Sequence, residues 1–467
     1  MRSSYIGKFN FTKYLEQVVD AETILYVGRV TAVKGLEIES EGPRSMIGEM
    51  CTIKLSDGSS ILAEVVGLSG TTVKLTPFGN TRGIEVGCEV VASGSVLQVP
   101  VGMNLLGRVV DATGHACDGL TEIEPETYYP AIADAPDPLR RAPIKKRIVT
   151  SIKALDSLLT IGKGQRVGIF AGSGVGKSTL LSMIARNSNA DIAVIGLIGE
   201  RGREALEFIN RDLGEEGLKR SVVVLSTGDQ PAICRVRAAY VCTAIAEYFR
   251  DQGKDVVLMV DNVTRFAKAQ QEIGTSNGEL PIKSGYPPSV FDMLPKLMER
   301  TGTNDKGSIT AFYNVLVDSD DMNEPITDAV RGILDGHIIL DRKLAQSYHY
   351  PAIDVLASIS RLANRVTGKQ TQLACGKIRK LMSVYQSKET MISTGIYAKG
   401  SNPEIDEAID KHEEIEAFLT QEVNTPFSLK DTLDELSRIS GVEIPEYEYE
   451  EDTELAFKKF QEQSEQQ

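Results

Sequence analysis

The chain has 467 residues, 42% of them apolar and 25% charged, with a formal net charge of −14, which places it among multidomain globular proteins rather than fibrous or disordered ones. The acidic balance argues against a nucleic-acid partner, which needs a basic stripe, and six cysteines and four histidines without paired spacing argue against a disulfide scaffold or a zinc site. No stretch is apolar enough to span a bilayer, and Met1–Gly7 lacks the apolar core of a secretory signal, so a cytosolic location is expected.

In residues 1–20, Phe11, Tyr14, Leu15, Val18 and Val19 recur at helical spacing, with Lys13, Glu16 and Gln17 on the other side. The spacing predicts a short amphipathic helix, packed on its own domain or docked on a partner. Over 21–98 the pattern changes to short β-like runs, Ile24–Val27, Thr52–Leu55, Ile61–Gly67 and Thr72–Leu75, separated by turns such as Asp57-Gly58 and Gly79-Asn80. A small antiparallel β-barrel is expected. It has no aromatic residue between Tyr26 and Phe78 and carries nine acids against six bases, unlike a barrel that stacks oligonucleotides on a basic face, so it reads as an assembly domain.

Leu106–Asp111, with turns at Thr113-Gly114 and Asp118-Gly119, leads out of the barrel, and the proline-rich segment 135–143 is a linker. Residues 99–381 then alternate apolar runs with helical patterns, the expected strands being Arg166–Phe170, Ala193–Ile198, Val222–Leu225, Val256–Val260 and Ile309–Tyr313. This is the signature of an α/β domain with a mostly parallel sheet covered on both faces. Helical patterns at Ile378–Tyr385 and Asp406–Leu419 predict a helical C-terminal domain, 382–441. The segment 442–467 holds nine acids against two lysines and is expected to be a mobile acidic tail.

The chemistry sits in the α/β domain. Ala171-Gly172-Ser173-Gly174-Val175-Gly176-Lys177-Ser178, followed by Thr179, lies between an apolar strand and the helical run Leu180–Ala185, the context that a phosphate-binding loop requires. Its glycines let successive N–H groups turn toward an oxyanion, and the helix adds its positive N-terminal end. Lys177 neutralises outer phosphates and Ser178 is the expected Mg²⁺ ligand. Ala171 stands where the strict motif opens with glycine. Asp261 ends the run Val256–Val260, where an acid holds Mg²⁺ through its water shell. Glu200 ends another strand and is a candidate base or orienting group for attacking water, although the spacing also allows a surface ion pair with Arg201 or Arg203.

Pro351-Ala352-Ile353-Asp354-Val355-Leu356-Ala357-Ser358-Ile359-Ser360-Arg361 resembles the signature of the rotary-type ATPase α/β family, as do the phosphate loop, Gly199-Glu200-Arg201 and Gly107–Asp111. Within that family, Gly285–Phe291, Asp320–Pro325 and Lys399–Asp406 are similar to the flagellar protein-export ATPases, relatives of the type III secretion ATPases. The resemblance, from about residue 20 to 430, implies a RecA-like core, hydrolysis of Mg-ATP in a homohexameric ring, and work on protein export substrates. It implies that Arg361 is an arginine finger reaching a neighbour's γ-phosphate and that Tyr350 stacks on adenine. It also implies a stator-like regulator at the N-terminal helix, a central stalk subunit, an export gate, chaperones and flagellar cargo. Membrane association is then peripheral, through the export apparatus at its cytoplasmic face.

Three other readings share the core: a catalytic subunit of a rotary ATP synthase, a nucleic-acid translocase and a nucleotide-dependent scaffold. One chain carrying both Glu200 and Arg361 disfavours the first, the acidic barrel the second, and Lys177 with Glu200 the third. Asn262, where relatives usually show serine, Gln271, where arginine is common, and the polar loop Thr275–Gly278 depart from the family pattern.

Overall fold

Alternating apolar residues and tight turns close the first unit into a barrel. In the computed structural model, which describes residues 26–317 and 321–465, the strands are β1 (Val27–Lys34), β2 (Glu37–Glu41), β3 (Glu49–Lys54), β4 (Ser60–Ser69), β5 (Thr72–Pro77) and β6 (Glu89–Val96). They pair antiparallel in the order β1-β2-β5-β4-β3-β6, with β6 back on β1. Val30, Ile38, Cys51, Ile53, Val65, Leu75 and Val90 fill the interior. The expected strand at Ile24–Val27 overlaps only the first residue of β1. The expected helix of 1–20 lies outside the described residues, as does Asp320.

A second compact unit spans 97–467. It begins with β7 (Gln98–Val101), β8 (Val109–Val110) and β9 (Thr127–Pro130). Its nine-stranded sheet adds β10 (Arg166–Ala171), β11 (Ile192–Glu200), β12 (Ser221–Thr227), β13 (Asp255–Asp261), β14 (Gly302–Thr303), β15 (Ser308–Leu316), β16 (Gly336–Leu340) and β17 (Ile353–Ser360). The order is β17-β16-β10-β15-β13-β11-β12-β8, with β14 off the path. Every pairing along it is parallel except that of β17, which runs antiparallel to β16 at one edge. Near-continuous apolar runs such as Val256–Val260 are buried from end to end, as a sheet covered on both faces demands.

Leu106–Asp111, expected to lead out of the barrel, includes the edge strand β8 of the second unit's sheet. Arg108 holds the turn behind it through a bidentate pair with Asp118 (2.7 and 2.9 Å).

The helices Lys369–Ser393, Pro403–Leu419 and Leu429–Ser440 share one apolar core with the sheet, contributing Ala374, Ile378, Leu381, Phe418 and Leu433. The acidic segment departs from the expectation of a mobile tail. It forms a short 3-10 turn, Glu446–Tyr449, and a helix, Thr453–Glu465. Glu448 is buried, the Glu448 and Glu451 carbonyls accept from Arg147, and the Glu451 carboxylate meets Lys163 and Asn189. Composition counts these acids as solvated; the fold gives several of them donors, Glu448 and Glu451 among them.

Candidate active site

The loop 172–176 leaves the carboxyl end of β10 and enters the helix Lys177–Asn187. Gly174 and Gly176 adopt φ of +80° and +90°, left-handed backbone that a side chain disfavours, and Val175 between them is buried. Gly172, Ser173, Gly174, Gly176, Lys177, Ser178 and Thr179 line one wall of a cleft of about 390 Å³. Glu200, Asp261, Asn262 and Arg265 line the other.

Parallel register brings those acids level. Asp261 at the tip of β13 stands opposite Leu197 of β11 and Asn314 of β15, and Glu200 lies just beyond Leu197. Lys177 Nζ lies 2.8 Å from Asp261 Oδ1 and 4.0 Å from Glu200 Oε1. Asn314 Nδ2 donates to the same Asp261 oxygen at 2.9 Å. Glu200 Oε1 accepts from Asn262 Nδ2 at 3.1 Å, and Glu200 Oε2 faces Arg265 Nη2 at 3.4 Å. Asn262 also caps the helix Val263–Ser276, its Oδ1 accepting from Arg265 N at 2.8 Å, so one amide fixes both neighbours.

Burial, with the Asp261 charge next in importance, pushes the Glu200 carboxyl above the usual carboxylate range against the pull of Lys177 and Arg265. The surface pairing that the sequence allowed for Glu200 is not made: Arg201 pairs with Glu204 and Arg203 with Glu207. A hydroxyl and a carboxylate beside a phosphate loop are hard oxygen donors suited to Mg²⁺, and the ammonium against Asp261 marks a place that accepts a cation.

Tyr350 lies against the loop. A Cβ on Gly176 would stand 3.5 Å from its ring atoms Cδ1 and Cε1. Arg361 is elsewhere. It follows β17, is exposed, and its N–H binds the Asp335 carbonyl, level with Arg166 at the start of β10. The phosphate loop begins at the other end of β10, five residues on, or about 17 Å along the strand. The structure therefore brings Lys177, Ser178, Glu200 and Asp261 together in one chain and leaves Arg361 outside that cluster, on an edge strand. Nothing in the sequence points to Arg265 or Asn314 at the site, and Asn262 stands out there only as a departure; an Asn directly before the helical run is the available signal for its capping role.

Fold and cleft together define a P-loop nucleotide hydrolase with a β-barrel before its core and helices after it. The chain matches the ATP synthase alpha/beta family nucleotide-binding domain over residues 151–360, that family's beta-barrel domain over 30–94, and the T3SS EscN ATPase C-terminal domain over 367–438. It is 54% identical to the flagellum-specific ATP synthase of Treponema pallidum (strain Nichols), covering 92% of this chain and 97% of that one. It is 48% identical to the type 3 secretion system ATPase of Xanthomonas euvesicatoria, covering 88% and 94%. Among solved structures, the assembled ATPase EscN of the enteropathogenic E. coli type III secretion system superposes with a TM-score of 0.84 at 42% identity, covering 88% of this chain and 100% of that one. EscN in complex with its central stalk EscO gives 0.83. The chain belongs to the family of flagellar and type III secretion ATPases.

Proposed function

We propose that the chain hydrolyses Mg-ATP at the boundaries between copies in a homohexameric ring and couples this to delivery or unfolding of protein export substrates of a flagellar apparatus. The observation that carries the reading is the division of the catalytic groups. Lys177, Glu200 and Asp261 converge on the phosphate loop, whereas Arg361 is exposed on the edge strand, level with the start of β10, the opposite end of that strand from the loop. A guanidinium supplied from a neighbour solves that separation.

In this reading the loop N–H groups from 172 to 178 cradle the phosphates, Lys177 neutralises the outer ones, and Glu200 orients the attacking water. Ser178 and Asp261 would hold Mg²⁺, which supplies positive charge against the triphosphate when bound. Arg361 of the adjacent copy stabilises the charge that spreads over the transferred phosphoryl group. Tyr350 supplies a face for adenine.

Residues 21–98 serve as the assembly domain, 99–381 as the motor and 382–441 as the helical end. The complex of EscN with EscO supports a central stalk partner here. A regulator at the N-terminal helix, an export gate, chaperones and cargo rest on the resemblance in sequence. Among the described residues no helix is long and apolar enough to cross a membrane, which supports peripheral attachment.

Arg361→Ala tests the reading. Nucleotide binding is retained and turnover in assembled rings falls by about 10³-fold or more. Undiminished turnover in rings of the variant would remove Arg361 from the site.

A further inference from the structure

The loop that carries Tyr350 is held from the C-terminal helices. Tyr348, at φ +61°, projects into solvent, while the next residue, His349, is 8% exposed and turned inward. His349 Nδ1 lies 2.9 Å from Glu416 Oε2, one turn before the end of the helix Pro403–Leu419. Past the end of that helix, Gln421 N donates to the Tyr350 carbonyl at 2.8 Å. Gln421 is itself fixed: its Nε2 donates to the Ser151 and Thr425 carbonyls (2.8 and 2.9 Å) and its Oε1 accepts from Lys153 N (3.1 Å).

Tyr350 is thus gripped on its carbonyl by a residue anchored to the nucleotide-binding domain, and through its neighbour His349 by a side chain of the C-terminal helix. The first grip is a main-chain hydrogen bond whose donor is anchored by the Gln421 side chain. The second depends on one carboxylate. The helix that presents it is tied to the long helix Lys369–Ser393 by His412, stacked on Tyr385 at 3.6 Å and 11°. The His349 contact also holds the Glu416 carboxyl below the usual carboxylate range. The ring so placed lies against Gly176 of the phosphate loop.

We propose that Glu416 is a positioning residue for nucleotide binding: through His349 it sets the placement of the Tyr350 ring beside the phosphate loop, and so makes base affinity depend on the C-terminal helices. This rests on the reading above that Tyr350 stacks on adenine. A well-placed ring contributes to binding of the base and not to binding of the phosphates. Loss of the carboxylate therefore weakens ATP selectively, whereas general damage to the cleft weakens every polyphosphate.

The test uses the full-length enzyme and Glu416→Ala, Glu416→Gln and Tyr350→Ala, comparing KM and kcat for ATP with the inhibition constant of inorganic tripolyphosphate, which lacks a base. Glu416→Ala raises KM for ATP about three- to ten-fold, the size of one ordinary hydrogen bond, with kcat and the tripolyphosphate constant little changed. Glu416→Gln, which keeps an acceptor for His349, restores most of the affinity. A normal KM in Glu416→Ala alongside a raised KM in Tyr350→Ala overturns the proposal and leaves the stacking reading standing. An equal loss for ATP and tripolyphosphate in Glu416→Ala overturns it as well, because the residue is then merely structural. A normal KM in Tyr350→Ala removes the stacking reading and the proposal with it.

Discussion

Glu200 and Glu448 are both buried carboxylates, at 9% and 1% exposure, yet they are held in opposite ways. Glu448 is saturated by fixed donors: Gln370 N at 3.0 Å, Thr371 N at 2.8 Å and Thr371 Oγ1 at 2.7 Å. It closes the N-terminal end of the helix Lys369–Ser393, whose own flanking residue, Gly368, has no side chain to do so. A Cβ at Gly368 would stand 2.0 Å from Glu448 Cδ, so glycine is what lets the carboxylate in. Glu200 has longer contacts at 3.1 and 3.4 Å, a lysine 4.0 Å away, and a second carboxylate as neighbour. A fully bonded carboxylate belongs to the scaffold; a loosely bonded one facing a cleft keeps an affinity for protons and room for water.

The sharpest break between the two comes from removing each charge. Glu200→Gln keeps ATP binding and lowers single-turnover phosphate release by about 10³-fold, with no loss of thermal stability. Because burial raises the Glu200 pKa, and the group must be ionised to serve, the acid limb of turnover lies above the pH at which an ordinary glutamate titrates, about 4.3. An acid limb at or below that value would contradict the assignment. Glu448→Ala does the reverse. It costs about 2 kcal/mol in denaturant unfolding, since three donors lose their acceptor, while turnover of the folded enzyme hardly changes. A stable but inactive Glu448→Ala would collapse the distinction.

Legibility in sequence follows the same division. The phosphate loop, Glu200 and Asp261 were readable because each signal is contiguous: glycines at fixed offsets, or an apolar strand ending in an acid. The barrel and the five strands Arg166–Phe170 to Ile309–Tyr313 were readable from turn spacing and continuous apolar runs. Asn314 was not, because its role depends on register between β13 and β15, which are far apart in the chain. Glu448 was missed because a composition count cannot tell a solvated acid from one that finds backbone donors 77 residues away in sequence. The edge strands β8 and β17 were missed as strands, β8 because it is two residues beside a turn and β17 because motif residues fill its run.

Asp118 is a third, part-buried carboxylate to set against Glu200 and Glu448. Its bidentate bond with Arg108 holds its carboxyl down at about 2, from an ordinary 3.8. A depressed acid stabilises the fold above its unfolded pKa and loses that contribution as pH falls through the folded value. Arg108→Ala therefore costs about 1 to 2 kcal/mol at neutral pH and nothing further below about pH 2, where wild type has lost the same amount. Unfolding curves of the two proteins that stay equally separated from neutral pH to pH 2 would contradict this.

Whether a neighbouring copy completes the cleft is decided by mixing subunits. If the two residues meet across a boundary, Lys177→Ala and Arg361→Ala subunits are each expected to be inactive as pure rings. In mixed rings, an Arg361→Ala subunit offers an intact phosphate loop to the intact arginine of a Lys177→Ala neighbour, so the account predicts turnover well above that of either parent, approaching about a quarter of wild type for random equal mixing. Mixed rings as inactive as their parents would mean that the two residues do not meet across a boundary, and would contradict the account.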